Sequence, residues 1–300
     1  MGTPTFAVAS LEALIQTGEN VVAVITAPDK PAGRGQKIQQ SPIKQYALDH
    51  SIPVLQPEKL KDTEFLKELK SYQADLQVVV AFRMLPEVVW NMPSMGTINV
   101  HASLLPQYRG AAPINHALIN GEKETGVTTF LLQHEIDTGH ILLSEKVNIE
   151  DTDTAGSLHD KLMMAGARVL VKTIEGLKEK SIYPIPQADV PTESLHHAPK
   201  IFKEDCEIDW NQDTETIYNM IRGLSPYPTA FTKIDGKVLK VFEVKKEIIS
   251  PTTAVGTYQT DGKTYLKFAA KDGYILLTTL QIEGKKKMEI SEFLKGYRFD

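Results

Sequence analysis

One cysteine in 300 residues, Cys206, leaves no partner for an internal disulfide and excludes a structural zinc site built on several thiolates. No apolar run approaches the ~18 residues that a membrane span needs, and nothing at the N-terminus reads as a signal peptide, so a cytoplasmic location away from any membrane is expected. Positive charge is in deficit as well: Lys and Arg number 33 against 38 Asp and Glu, for a formal charge of -5. That excludes a wholly basic nucleic-acid coat protein but leaves room for a local basic face. Also missing are a G-x-G-x-x-G or Walker pattern, a G-x-S-x-G elbow around Ser103, and an H-E-x-x-H metal pair.

What is present is a globular composition, 42% hydrophobic and 24% charged, in a chain long enough for two domains. The β-branched runs at 20–26 and 74–82, the short run at 96–101 and the apolar run at 127–132 read as strands. Leu60, Phe65, Leu66 and Leu69 share a helical face, with Asp62 or Thr63 placed to cap it. A helix is expected after Pro113, and a long one over 154–178 with Leu158, Leu162, Ala165, Val169 and Leu170 facing inward. Strands alternating with helices predict a Rossmann-like α/β domain with a parallel sheet, whose sites form beyond the carboxyl ends of the strands.

Residues 181–200 break this pattern. Pro184, Pro186, Pro191 and Pro199 punctuate a stretch without periodicity, which reads as a linker. After a helix at 214–222, turn sequences at 234–237, 260–263, 271–274 and 282–285 separate short strands, predicting a small OB-like β-barrel. The expected domains are therefore 1–180, the linker 181–200, and 201–300. Acids crowd Glu204 to Glu215, whereas 231–300 is net basic, most densely at Lys285, Lys286 and Lys287.

The chemistry concentrates in 99–109 (NVHASLLPQYR). Asn99 and His101 lie two apart on a strand and so share a face, an amide beside an imidazole. Two such donors suit a carbonyl oxygen gaining negative charge in acyl transfer. Asp137, in EIDTGH, is either a turn residue or the carboxylate that orients His101 and moves a proton. His134, Glu135, Asp137 and His140 lack the spacing of a helical ligand pair, and no metal is expected. Cys206 lies in an acidic segment unsuited to a nucleophile, and His196 and His197 read as solvated. The Pro- and Gly-rich loop 28–35 carries Lys30 and Arg34 on the edge where the strands end, with Lys37 just beyond. A basic loop there suits a nucleic-acid backbone.

MGTPTFA at the start, PAGRG at 31–35, NVHASLLPQYRGAAPI at 99–114, the DTG at 137–139 and IRGLSPYP at 221–228 together resemble the folate-dependent formyltransferases. PAGRG and the C-terminal domain resemble the branch of that family acting on methionyl-tRNA. The resemblance implies formyl transfer from 10-formyltetrahydrofolate to the α-amine of initiator methionyl-tRNA, by a monomer needing no metal. It implies Asn99, His101 and Asp137 as the catalytic trio and Ser103, Leu104, Leu105 and Pro106 as the folate-contacting loop. It places Arg34 at the acceptor end of the tRNA; Lys30, Lys37 and Lys285 to Lys287 are the further candidates for tRNA contact.

Two departures carry expectations of their own. The family has a short strand ahead of M-G-T-P, so an apolar strand upstream of Met1 is expected. Arg83 stands where a small residue is usual, at the wall of the pterin pocket. The rival readings are a formyltransferase for a small amine and an RNA-binding protein with an inert folate site.

Overall fold

The side chain of Asp62 accepts hydrogen bonds from the backbone amides of Glu64 (3.1 Å) and Phe65 (3.0 Å), starting a helix whose Phe65 and Leu69 are buried. An N-cap of this kind satisfies two of the four orphan donors of a helix start. The computed structural model describes residues 1–32, 37–187 and 194–299. In chain order it forms α1 (Thr5–Gln16), β1 (Val24–Ile25), β2 (Lys30–Ala32), β3 (Lys37–Gln39), α2 (Pro42–Asp49) and β4 (Val54–Leu55). Then come α3 (Thr63–Ser71), β5 (Gln77–Val80), α4 (Glu87–Trp90), β6 (Thr97–His101), β7 (Arg109–Gly110) and α5 (Pro113–Ile119). β8 (Glu124–Leu131), β9 (Ile141–Asn148), α6 (Ala155–Lys178) and β10 (His197–Ala198) follow. The remainder is α7 (Thr214–Leu224), β11 (Ala230–Ile234), β12 (Lys237–Glu247), β13 (Tyr258–Thr260), β14 (Leu266–Ala269), β15 (Tyr274–Ile282), β16 (Met288–Glu289) and α8 (Ile290–Gly296). Among the described residues no helix is long and apolar enough to cross a membrane.

Two compact units emerge: Met1–Arg109 with Thr125–Asn148 and His159–His196, and Gly110–Glu124 with Ile149–Leu158 and His197–Asp300. In the first, β1 pairs parallel with β4, and β5 pairs parallel with β6. The sheet order continues β5-β6-β8-β9, and β8 runs antiparallel to β6, so an antiparallel pair is appended to the parallel part. Leu158, Leu162, Ala165, Val169 and Leu170 of α6 are all fully buried, as their spacing requires.

The strand expected over 20–26 forms only at Val24–Ile25. One of its flanks pairs with β4; the other faces a groove of about 730 Å³ that interrupts the sheet between β1 and β5, lined by Leu11, Leu14, Val24 and Leu170 among others. Met1 and Gly2 span that groove. Gly2 N donates to Ile25 O (3.0 Å), Val80 N donates to Met1 O (2.9 Å), and the Met1 ammonium donates to Val78 O (2.6 Å). The amide of Gly2 thus reaches β1 while Met1 bonds β5, as a strand between the two would.

In the second unit, α5 packs on α7 so closely that a Cβ at Gly223 would meet Ile119 Cγ1 at 2.8 Å and Asn115 O at 3.1 Å. Asn115 Nδ2 donates to Gly223 O (2.7 Å), and the buried Arg222 guanidinium donates to Asn219 Oδ1 (2.8 Å) and Glu150 O (3.1 Å). The strands form an antiparallel sheet of order β11-β12-β15-β14-β13, with β16 also on β15. It curls as a half-barrel over Trp210, stacked on Phe268 at 4.6 Å, and the apolar face of α7. The β11–β12 turn has positive φ at Asp235 (48°) and Gly236 (73°), the conformation an Asp-Gly hairpin needs.

Candidate active site

β6 carries Asn99 opposite Phe130 and His101 opposite Thr128 of β8, on one face of the sheet. Val100 between them and Ile98 just before are buried on the other face. The His101 ring is buried, with Phe130 edge-on at 6.4 Å. His101 Nε2 lies 2.9 Å from Tyr108 O, and Nδ1 lies 3.9 Å from Asp137 Oδ2. A carbonyl only accepts, so Nε2 carries the hydrogen and donates it to Tyr108. Nδ1 is the nitrogen left facing the carboxylate, at ion-pair distance but beyond hydrogen-bond reach. Asn99 is half-buried, and its side-chain amide has no protein partner among the described residues.

Asp137 reaches His101 because the turn after β8 is tight. Its own φ is 55°, and Gly139 lies so close to β8 that a Cβ there would sit 1.6 Å from Leu131 O. Only glycine fits that position. The structure therefore brings His101 and Asp137 together and sets Asn99 on the same strand face.

The 103–106 loop is held from below. Thr128 Oγ1 donates to Ser103 O (2.7 Å) and accepts from Leu105 N (3.2 Å), and Ser103 Oγ donates to Gln107 O (2.7 Å). The Ser103 hydroxyl is thus committed to the backbone rather than poised as a nucleophile. Ser103 and Leu105 are buried, Leu104 and Pro106 half-buried.

Other candidates disperse. His134 is exposed, 3.5 Å from Glu87 and edge-on to Trp90, and among the described residues no three His, Cys, Asp or Glu side chains are grouped to hold a metal ion. Cys206 is buried with its thiol on Phe202 O (3.3 Å); burial, with Asp205 and Glu204 nearby, pushes its pKa up. Arg83 is exposed and donates through its guanidinium to the carbonyls of Pro57 and Glu58. His196, expected to be only solvated, is exposed yet bonded: its Nδ1 lies 3.0 Å from Tyr108 OH, and its carbonyl accepts from Tyr108 N (2.7 Å).

Lys30 is exposed on the hairpin β2–β3, opposite Gln39; Arg34 and the side chain of Lys37 lie outside the described residues. The base of that hairpin is tied by residues without a sequence signal of their own. Lys44 Nζ donates to Asp29 Oδ2 (2.6 Å) and Gln56 Oε1 (2.7 Å), and Gln56 Nε2 donates to Asp29 Oδ1 (2.8 Å). The bond from Lys44 is the main reason the Asp29 carboxyl is held below its ordinary pKa. Lys285, Lys286 and Lys287 are exposed in the β15–β16 turn. Lys286 lies 3.9 Å from Glu292 and Lys287 3.9 Å from Glu243, while Lys285 has no carboxylate partner among the described residues.

Comparison with known proteins gives a consistent result. Residues 1–174 match the family described as formyl transferase, and residues 200–298 match the formyl transferase C-terminal domain. The methionyl-tRNA formyltransferase of Bacteroides fragilis is 55% identical over 303 residues, covering 99% of this chain and 94% of that protein. That of Flavobacterium johnsoniae is 48% identical, covering 100% and 95%. Among solved structures, an N-formyltransferase from Helicobacter canadensis in complex with folinic acid and dTDP-3-aminofucose has the same fold, with a TM-score of 0.64 at 20% identity over 96% of this chain and 97% of that one.

Proposed function

The chain belongs to the formyl transferase family, and from that membership we propose that it moves a formyl group from 10-formyltetrahydrofolate to the α-amine of methionyl initiator tRNA, for translation initiation. The proposed arrangement is a catalytic domain over 1–180, a linker over 181–200 and a tRNA-binding domain over 201–300, acting as a cytoplasmic monomer. Full-length identity to methionyl-tRNA formyltransferases supports the reaction. The observation that carries the assignment of residues is the His101–Asp137 pair beside the uncommitted amide of Asn99.

The chemistry follows from that geometry. The neutral amine attacks the formyl carbon and a C–N bond forms. An oxyanion develops on the formyl oxygen; the C–N10 bond then breaks, and a proton passes from the amine to N10. Asn99 supplies an amide N–H to the oxyanion. His101, held through Nε2 by Tyr108, turns Nδ1 toward the reacting atoms; carrying a proton there, it is the second donor. Asp137, 3.9 Å from that nitrogen, stabilises the imidazolium and takes part in moving the amine proton. No covalent intermediate is needed. Ser103, Leu104, Leu105 and Pro106 form the wall against the folate. Lys30, Arg34, Lys37, Lys285, Lys286 and Lys287 supply phosphate contacts that the chain's net charge does not.

The test is formyl transfer from 10-formyltetrahydrofolate to four acceptors side by side: charged initiator tRNA, charged elongator tRNA, free methionine and an amino-sugar nucleotide. Transfer confined to charged tRNA, and fastest to initiator, is expected. Transfer to the amino sugar alone overturns the reading.

A further inference from the structure

Residues 181–187 look like featureless connector in sequence, yet they run against the catalytic turn. Ile185 and Ile141 exchange both backbone hydrogen bonds, each 2.8 Å, which sets the register of this segment beside β9. Two residues on, Gln187 Nε2 lies 2.8 Å from Asp137 O and 2.9 Å from Gly139 O. Its Oε1 accepts from Arg109 Nε (3.1 Å) and Nη2 (2.5 Å). Both amide hydrogens and both lone pairs are therefore used. The orientation is also fixed, because a flipped amide would set its oxygen against two carbonyls and its NH2 against a guanidinium.

We propose that Gln187 is a positioning residue for the transfer reaction, an inference that rests on the functional reading above. It holds the carbonyls on either side of Thr138 and so keeps Asp137 at its distance from His101 Nδ1. The Asp137 turn needs such a hold: a side chain at φ 55° keeps that backbone only where its surroundings impose it. Arg109 closes the loop that begins at His101, so one amide ties the two loops bearing the acid–base pair. Gln187 acts on placement of the pair, and its loss is felt in kcat rather than in substrate binding.

Gln187→Glu and Gln187→Leu separate this from a tether. The glutamate keeps the bond to Arg109, now as an ion pair, but turns an acceptor onto the carbonyls of Asp137 and Gly139. The leucine removes both sets of bonds. Both variants are expected to lose about tenfold or more in kcat, with KM for formyl donor and charged tRNA within about twofold of wild type. Should the leucine variant fold poorly, the glutamate variant decides. Wild-type kcat in Gln187→Glu overturns the inference, leaving Gln187 as a tether to Arg109. A raised KM for tRNA with intact kcat overturns it as well, making Gln187 part of the tRNA path. Wild-type enzyme runs in the same assay: its turnover with an unaffected glutamate variant sinks the inference alone, whereas its failure on charged tRNA sinks the functional reading and the inference together.

Discussion

The His101 ring is oriented by Tyr108, whose carbonyl oxygen lies 2.9 Å from Nε2, while Asp137 stands at 3.9 Å from the opposite nitrogen. The sequence leaves Asp137 as either a turn residue or a carboxylate that orients His101 and moves a proton, and it gives no sign of the Tyr108 carbonyl. The main chain thus takes one ring nitrogen and the carboxylate stands nearest the other. Tyr108 can do this because its backbone is turned to φ 59° and its amide and hydroxyl are both bonded to His196.

Asp137→Asn is therefore expected to lose about 10²–10³-fold in kcat while leaving the ring in place. Kinetics measure the first part. Nitrogen-15 NMR of the imidazole measures the second, with the Nε2–H form of His101 retained in the variant. A variant that switches tautomer would return the orienting role to Asp137.

Thr128→Val tests the 103–106 loop. The hydroxyl of Thr128 serves Ser103 O, Leu105 N and the exposed Ser144 Oγ from a fully buried position, and valine takes that partner from Ser103 O and Leu105 N. A cost of about 1–3 kcal/mol in urea denaturation is expected. KM for the formyl donor should rise several-fold with little change in KM for charged tRNA. An unchanged donor KM would separate this loop from the folate.

The groove between β1 and β5 makes a prediction about pH. Met1 is half-buried as a residue, but its ammonium is desolvated, which lowers its pKa from 8.0 to about 5. The folded chain thus releases that proton more readily than the unfolded one. In a chain starting at Met1, this group lowers stability increasingly as pH falls from 8 to 5, by up to about 4 kcal/mol. A short Val- and Ile-rich extension ahead of Met1 is expected to remove the charge from this position. Thermal melts from pH 5 to 8 should show a higher Tm and a flatter pH dependence for the extended chain. Equal melting of both chains at pH 6 would contradict this.

Salt dependence separates the basic surfaces. Arg34→Ala should raise KM for charged tRNA and lower kcat, by misplacing the amine. Lys285→Ala should weaken all tRNAs alike and flatten the log–log salt slope by roughly one. Lys286→Ala and Lys287→Ala should change it less, since both lysines already face glutamates. An unchanged slope for Lys285→Ala would make the triplet a solvated turn.

The site was legible where side-chain periodicity or a cap encodes geometry. Asn99 and His101 share a face because a strand repeats every two residues, and the inward face of α6 and the Asp62 cap follow from helix periodicity and capping. Other parts depend on contacts that sequence does not display. α1 begins at Thr5, after Pro4, without a side-chain cap. β1 keeps two residues of an expected seven because a strand persists where it is paired. The Tyr108 carbonyl has no residue-specific signature, and Gln187 sits in a proline-rich stretch whose pattern says only that it is irregular.

Single-turnover transfer of labelled formyl from 10-formyltetrahydrofolate to methionyl initiator tRNA, at saturating enzyme, compares wild type with His101→Ala most directly. Stoichiometric formylation by wild type is expected, with a rate at least about 100-fold lower in the variant and both substrates bound equally well. A His101→Ala enzyme that transfers formyl within about tenfold of the wild-type rate would contradict it.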